Sequence, residues 1–192
     1  MRKLIITLFT LLASLACFAQ NDNDYNFVVK DGAIIWQRVF QDSRGFTEIC
    51  DAVKASEAFE KVVINNSDIA GSMIPLRPDI KGAGYSDMSA TFLVSNSNLA
   101  GKFVLQWKEG RYRVTLMGIE FIGNGLIGMS IGGIFASGIA PGEKTSIDTF
   151  LRKNGKIKET FYSSDTAEIL DYTFTSIFML QSKMDVVLDS DF

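Results

Sequence analysis

Gly101-KFVLQWKEGRYRVTLMGIEF-Ile122 decides the fold. Phe103, Leu105 and Trp107 alternate with smaller or polar residues, and beyond Gly110 the residues Tyr112, Val114 and Leu116 do the same. A period of two is that of a strand with one buried face, and Lys108-Glu109-Gly110 between the runs supplies a glycine-assisted turn. The stretch therefore predicts a β-hairpin. Near Met117-Gly118 the phase slips, because Ile119 and Phe121 continue on the other parity. A β-bulge at Gly118 accounts for the slip. On the turn-proximal part of the second strand, Arg111 and Arg113 share the face opposite Tyr112 and Val114. Two cations on one strand face suit an anionic ligand or partner; the alternative is an ordinary solvated sheet face.

Upstream, Phe27-Val28-Val29 and Ala33 to Phe40 flank Lys30-Asp31-Gly32, another hairpin signal, with Trp36 expected as a core anchor. From Arg44 the period changes to about 3.6 residues: Phe46, Ile49, Cys50, Val53 and Phe59 recur on one side, which predicts an amphipathic helix over 44–59. That spacing puts Cys50 on the apolar face, as a buried inert thiol. Val62–Ile64 and Ile69–Ile74 read as strands, the second stopped by Pro75 and Pro78. Asp79 to Ser89 has no periodicity and reads as a loop, Ala90–Val94 as a strand, Asn96–Ala100 as a turn. Asn154-Gly155 marks a tight turn between Phe150-Leu151 and Lys156-Ile157. Asp165-Thr-Ala-Glu168 has the spacing of a cap and opens a strongly apolar helix through Ile169, Leu170, Phe174 and Phe178. Two helices then cover one face of a single curved antiparallel sheet, an α+β two-layer architecture.

The N-terminus bears on compartment. Arg2-Lys3, an apolar run from Leu4 to Ala16, and Cys17-Phe18-Ala19 have the form of a signal peptide over 1–19, cleaved before Gln20; a lipoprotein acylated at Cys17 is the alternative. Residues 20–26 then form a loose terminus, 27–184 a single domain with a glycine-rich insert at 121–142, and 185–192 an acidic tail. Without Arg2 and Lys3 the net charge falls from −3 to −5, a poor balance for nucleic acid. The chain holds no histidine, which excludes Ser-His-Asp and Cys-His catalysis and histidine-ligated zinc.

Phe121 to Gly142 runs 22 residues without a charge, seven of them glycine. Within it Gly123-x-Gly125-x-x-Gly128 fits a dinucleotide fingerprint with Asp148 twenty residues on, Gly128-Met-Ser130-Ile-Gly132 fits a nucleophile elbow, and Gly128 with Gly132 a helix-packing pair. Three unrelated patterns in one segment follow from glycine density. Gly132-Gly133 would break the helix that a pyrophosphate requires, and Ser130 has no histidine to take its proton. A flexible apolar flap is the preferred reading; insertion into a membrane is the alternative, on length. Asp22-x-Asp24-x-Asn26 begins like a calcium loop, but Phe27 stands where glycine is needed. Asp165, Glu168 and Asp171 look like a carboxylate cluster, of which the first two sit in a helix's first turn, where acidic residues complement the dipole. Asn65-Asn66-Ser67 fits a glycosylation sequon.

The opening KDGAIIWQRVF of Lys30–Phe40, the helix after it, and above all KEGRYRVT of Lys108–Thr115 resemble an uncharacterised family of exported bacterial domains, described as having a TATA-box-binding-protein-like fold. The resemblance covers about residues 27–122, and residues 123–160 depart from the family pattern. It implies a helix-backed antiparallel sheet of order β-α-β4-α and implies no activity; the fold label does not bring DNA binding with it. The sequence thus predicts an exported, non-catalytic module that binds an envelope protein or ligand. Arg111 and Arg113 are its candidate contacts, with no catalytic residue, metal or cofactor assigned and no nucleic acid partner. A membrane-associated protein, or a hydrolase using carboxylates alone, is the alternative.

Overall fold

A computed structural model describes residues 25–124 and 139–180. Strands β1 (Phe27–Lys30) and β2 (Ala33–Gln41) precede helix α1 (Phe46–Ala55), and β3 (Phe59–Asn65) and β4 (Asp68–Met73) follow it. A short helix α2 (Phe92–Ser95) leads into the long strands β5 (Ser97–Lys108) and β6 (Arg111–Gly123). After β7 (Lys144–Ser146) and a 3-10 turn over Ile147–Phe150 come α3 (Glu159–Ser163) and α4 (Thr166–Phe178). The sheet is antiparallel in the order β1-β2-β6-β5-β4-β3, with β7 added to the far end of β6. This is the expected α+β arrangement, one sheet with its two longer helices on a single face.

Local chemistry explains the hairpins. Asp31 and Gly32 close β1 and β2 with φ of 51° and 79°, the positive pair that a two-residue turn matched to strand twist demands. In β5–β6, Lys102 pairs with Met117 and Ala100 with Glu120, so Gly118 and Ile119 together oppose Gly101. Gly118 has φ +57°. The predicted bulge is there, at a backbone angle that suits glycine. It restores parity: Tyr112, Val114 and Leu116 before it, and Ile119 and Phe121 after it, all face the interior.

That interior is aromatic. Phe178 of α4 stacks on Trp36 at 5.9 Å and Phe59 at 5.1 Å and meets Phe103 edge-on at 5.4 Å. Phe174 meets Trp36 at 5.6 Å, and Phe27 packs edge-on against Phe161 at 4.9 Å. Trp36 is fully buried, as expected of an anchor. From α1, Ile49, Cys50 and Val53 enter the same core, and burial raises the Cys50 thiol pKa, so the group is unreactive.

Several expectations need correction. Helix α1 stops at Ala55, and Phe59 opens β3 instead of closing the helix. The Ser56 hydroxyl accepts a bond from the Ala58 amide and turns the chain, a local competition that serine offers at helix ends. Residues 92–95 are a short helix and not a strand: the Thr91 carbonyl accepts from the Val94 amide, and the Thr91 hydroxyl lies 3.1 Å from that of Thr166 on α4. A five-residue apolar run has no period long enough to tell the two apart. Ser97 to Ala100, expected in a turn, begin β5 and pair with Gly123 to Glu120. At the start of α4 the cap does not form. Asp165 has left-handed φ of 58° and makes no capping bond, while the Glu168 carboxylate turns to two tyrosines. The Asn154-Gly155 turn is present, bridging Leu151 to Ile157. No described helix is long and apolar enough to cross a membrane. The signal peptide, the calcium-like Asp22-x-Asp24, the patterns built on Gly125 to Gly138 and the tail 185–192 lie outside the described residues.

Candidate functional site at the open sheet face

Antiparallel partners project to the same side, so the strand register lays out the outward face row by row. Arg111 lies between Gln41 and Lys108; in the next row Val39, Arg113, Gln106 and Asp68 run across β2, β6, β5 and β4; behind them come Gln37, Thr115, Val104 and Ala70. The two arginines that alternation placed on one face are on one face, both exposed. Arg113 donates to the side-chain carbonyl of Gln106, and Arg111 and Lys108 make no ion pair among the described residues. Val39 is 48% exposed beside them. Together with Ser67, Asp68, Trp107 and Tyr112 these residues line an open groove of about 480 Å³. Val63, Met117 and Val28 are also exposed on this face. Farther along β2, Ile35 on the same face is buried.

The groove rests on a pinned floor. Trp107 donates its indole N–H to the Arg44 carbonyl at 3.3 Å and lies 6.0 Å from the Phe46 ring. Arg44 grips Asp42 through Nε and Nη2, with contacts of 2.6–3.2 Å. That guanidinium, bonded to the carboxylate, lowers the Asp42 pKa below the ordinary value. Tyr112 buries its ring on the far side and donates its hydroxyl to the Phe178 carbonyl at 2.7 Å; burial raises its pKa. The Asp42 amide donates to the Gly110 carbonyl and fixes the hairpin tip. Arg111 and Arg113 are therefore flexible charges on rigid backbone.

The carboxylates of α4 are organised differently. Asp171 accepts the Trp36 indole N–H at 2.7 Å and the Asn26 amide at 2.8 Å, and its other oxygen is 3.5 Å from Arg38, which donates to Thr175 at 2.6 Å. Glu168 accepts from the hydroxyls of Tyr85 at 2.7 Å and Tyr25 at 3.3 Å. The bond to Glu168 pushes the Tyr85 phenol up to about 12. Asp148, the residue at dinucleotide spacing, accepts the Ile34 amide at 2.7 Å and the Ser146 hydroxyl at 3.1 Å, sealing the gap where β2 and β6 part. These acids fasten α4 and the 3-10 turn to the sheet. Among the described residues no three potential metal ligands come together. Sequence reasoning missed the donors that meet Asp171 and Glu168. Their partners are more than 80 residues away, and no local signal announces them.

No protein-family model matches the chain, and no curated protein does. Among solved structures, one neighbour is a DUF4468 family protein from Bacteroides ovatus, with 15% identity over 82% of this chain and 91% of that one, at a TM-score of 0.42. Another is a TBP-like protein from Parabacteroides distasonis, with 13% identity over 80% of this chain and 95% of that one, at a TM-score of 0.43. These descriptions, a DUF family and a TBP-like protein, coincide with the resemblance drawn from Lys30–Phe40 and Lys108–Thr115.

Proposed function

We propose that the protein is a non-catalytic, exported binding module whose outward sheet face receives an anionic segment of an envelope partner. One observation carries the reading: Arg111, Arg113 and Lys108 crowd one open groove and share a single acid, Asp68. Charges left without partners on a rigid sheet cost little as a solvated surface and gain most when a partner desolvates them together. The bonded state of Asp171, Glu168, Asp42 and Asp148 speaks against a carboxylate hydrolase, which needs two acids free to face one bond. The absence of histidine from the chain removes Ser-His-Asp and Cys-His catalysis. The basic-apolar-small pattern of residues 2–19 supports export, and mass spectrometry of the N-terminal peptide from an envelope fraction tests it, with Gln20 as the expected first residue.

The binding surface is tested by a photo-crosslinking side chain placed at Val39 in the groove, or at Tyr172 on the solvent side of α4, in cells that make the protein. Both positions are exposed. Adducts from Val39 alone, abolished by Arg111→Ala with Arg113→Ala, are the expected result. Identical adducts from both positions, or adducts indifferent to the arginines, would remove this face from consideration.

A further inference from the structure

The densest run of positive charge in the chain lies outside the groove, after β7. No acid stands between Asp148 and Glu159, while Arg152, Lys153, Lys156 and Lys158 fall within seven residues. This segment is a tight hairpin. The Gly155 amide donates to the Arg152 carbonyl at 2.9 Å, the Arg152 amide to the Lys156 carbonyl at 2.8 Å and the Lys158 amide to the Phe150 carbonyl at 2.7 Å. Gly155 has φ of 75°, so a left-handed glycine closes the turn, and Leu151 is bridged to Ile157. Alternation then sends Leu151 and Ile157 to the core side, where both are partly buried, and puts Arg152 and Lys156 opposite each other on the outer side. The mount is firm: the Phe150 ring lies 5.0 Å from Phe161 and 6.5 Å from Phe121, and Lys158 Nζ donates to the Thr149 carbonyl at 2.6 Å. Every residue from Arg152 to Lys156 is exposed. None of the four cations makes an ion pair among the described residues. Like charges opposed across two strands destabilise the pairing, and no acid is placed to offset that cost. Nor does a basic chain explain the run, since the net charge is −3 with these four residues and −7 without them. An exposed tip has no walls to enclose a small anion. It suits a flat anionic surface, against which the charges act together.

We propose that this hairpin, Leu151 to Lys158, docks the protein on an anionic lipid surface, with Arg152, Lys153 and Lys156 among the headgroup phosphates. The contact is separate from the open sheet face and stands whether or not that face receives a partner. Each cation brought to such a surface strengthens adsorption about fivefold, and the attraction fades within a Debye length.

The test is co-sedimentation of the chain from Gln20, which keeps every described residue, with vesicles of phosphatidylcholine alone or mixed equally with phosphatidylglycerol. The expected result is binding to the anionic vesicles only, lost at about 0.5 M salt. Arg152→Ala, Lys153→Ala and Lys156→Ala together should weaken it on the order of a hundredfold, whereas Arg111→Ala with Arg113→Ala should bind like wild type. Equal binding to both vesicle types, binding to neither, or a loss that follows Arg111 and Arg113 instead of the hairpin overturns the inference. So does displacement by free glycerol phosphate at the same phosphate concentration, which would mean a site for a single anion. If the triple variant does not keep the wild-type unfolding midpoint, a polarity-sensitive fluorophore replaces it, attached through Asn154→Cys on the hairpin or Val39→Cys on the sheet face; Cys50 is buried and stays unlabelled. A blue shift of the hairpin label alone, with anionic vesicles alone, supports docking. A shift of the sheet-face label alone, of both labels alike or of neither refutes it.

Discussion

Arg38 and Arg113 lie one register step apart on the paired strands β2 and β6, where Arg38 is opposite Val114 and Val39 opposite Arg113. Arg38 projects toward the helices and finds Asp171 and Thr175, with the Phe40 ring 5.7 Å below its guanidinium. Arg113 projects the other way and, among the described residues, donates to Gln106. The tryptophans both project toward the helices, Trp36 fully buried with its N–H on a carboxylate and Trp107 half-buried at the sheet's end with its N–H on the Arg44 carbonyl. Satisfying a group costs side-chain freedom and is selected where the alternative is an unpaired buried charge. On the open face no such penalty acts, and the proposed binding role is what would give a charge cluster there a use.

The largest test of this contrast is in the aromatic layer. Phe178→Ala removes a fully buried ring shared by Trp36, Phe59 and Phe103 and should cost about 3–5 kcal/mol in urea unfolding. Next comes the clasp between the faces. Asp42→Asn should cost about 1.5–3 kcal/mol at pH 7, as expected for a charge-assisted pair on a half-buried arginine. Arg44 holds the folded Asp42 pKa below the unfolded value of about 3.9, so the pair's contribution is complete above that value and is lost as pH falls through the lowered one. Wild type and Asp42→Asn should therefore converge in stability at the acid end of a pH series; a constant difference would assign the effect to packing. Smallest is the effect of Arg111→Ala with Arg113→Ala on unfolding, expected within about 0.5 kcal/mol for each substitution. A loss as large as that at Asp42 would make the arginines structural and erase the distinction between the faces.

The hairpins, the two longer helices and the bulge were legible in the sequence because each is written in neighbouring residues: alternation around Tyr112 and Val114, Asp31-Gly32, Gly118, and the 3.6-residue recurrence of Ile49, Cys50 and Val53. The candidate groove was half legible. Alternation put Arg111 and Arg113 together, but Val39 and Asp68 join them only through cross-strand register with β2 and β4. What misled was chemistry with two local meanings. Asn96-Ser97-Asn98 reads as a turn, yet pairing with Gly123 and Ile122 makes it strand; Asp165 and Glu168 read as a cap, yet tertiary donors claim Glu168. In both cases long-range partners outweighed a weak local preference.

Gly118 acts on β6 as an inserted base acts on a reading frame. Everything up to Met117 is read in one phase and everything from Ile119 in the other. Deleting this one residue would remove the bulge and leave Ile119 and Phe121 facing the interior, whereas straightening the strand with Gly118 retained would turn them out to solvent and bring Glu120 and Ile122 into the aromatic layer. The strand has two independently phased halves. Its first half carries the arginines of the groove and its second half pairs with β7, and the bulge lets each be arranged without dictating the other.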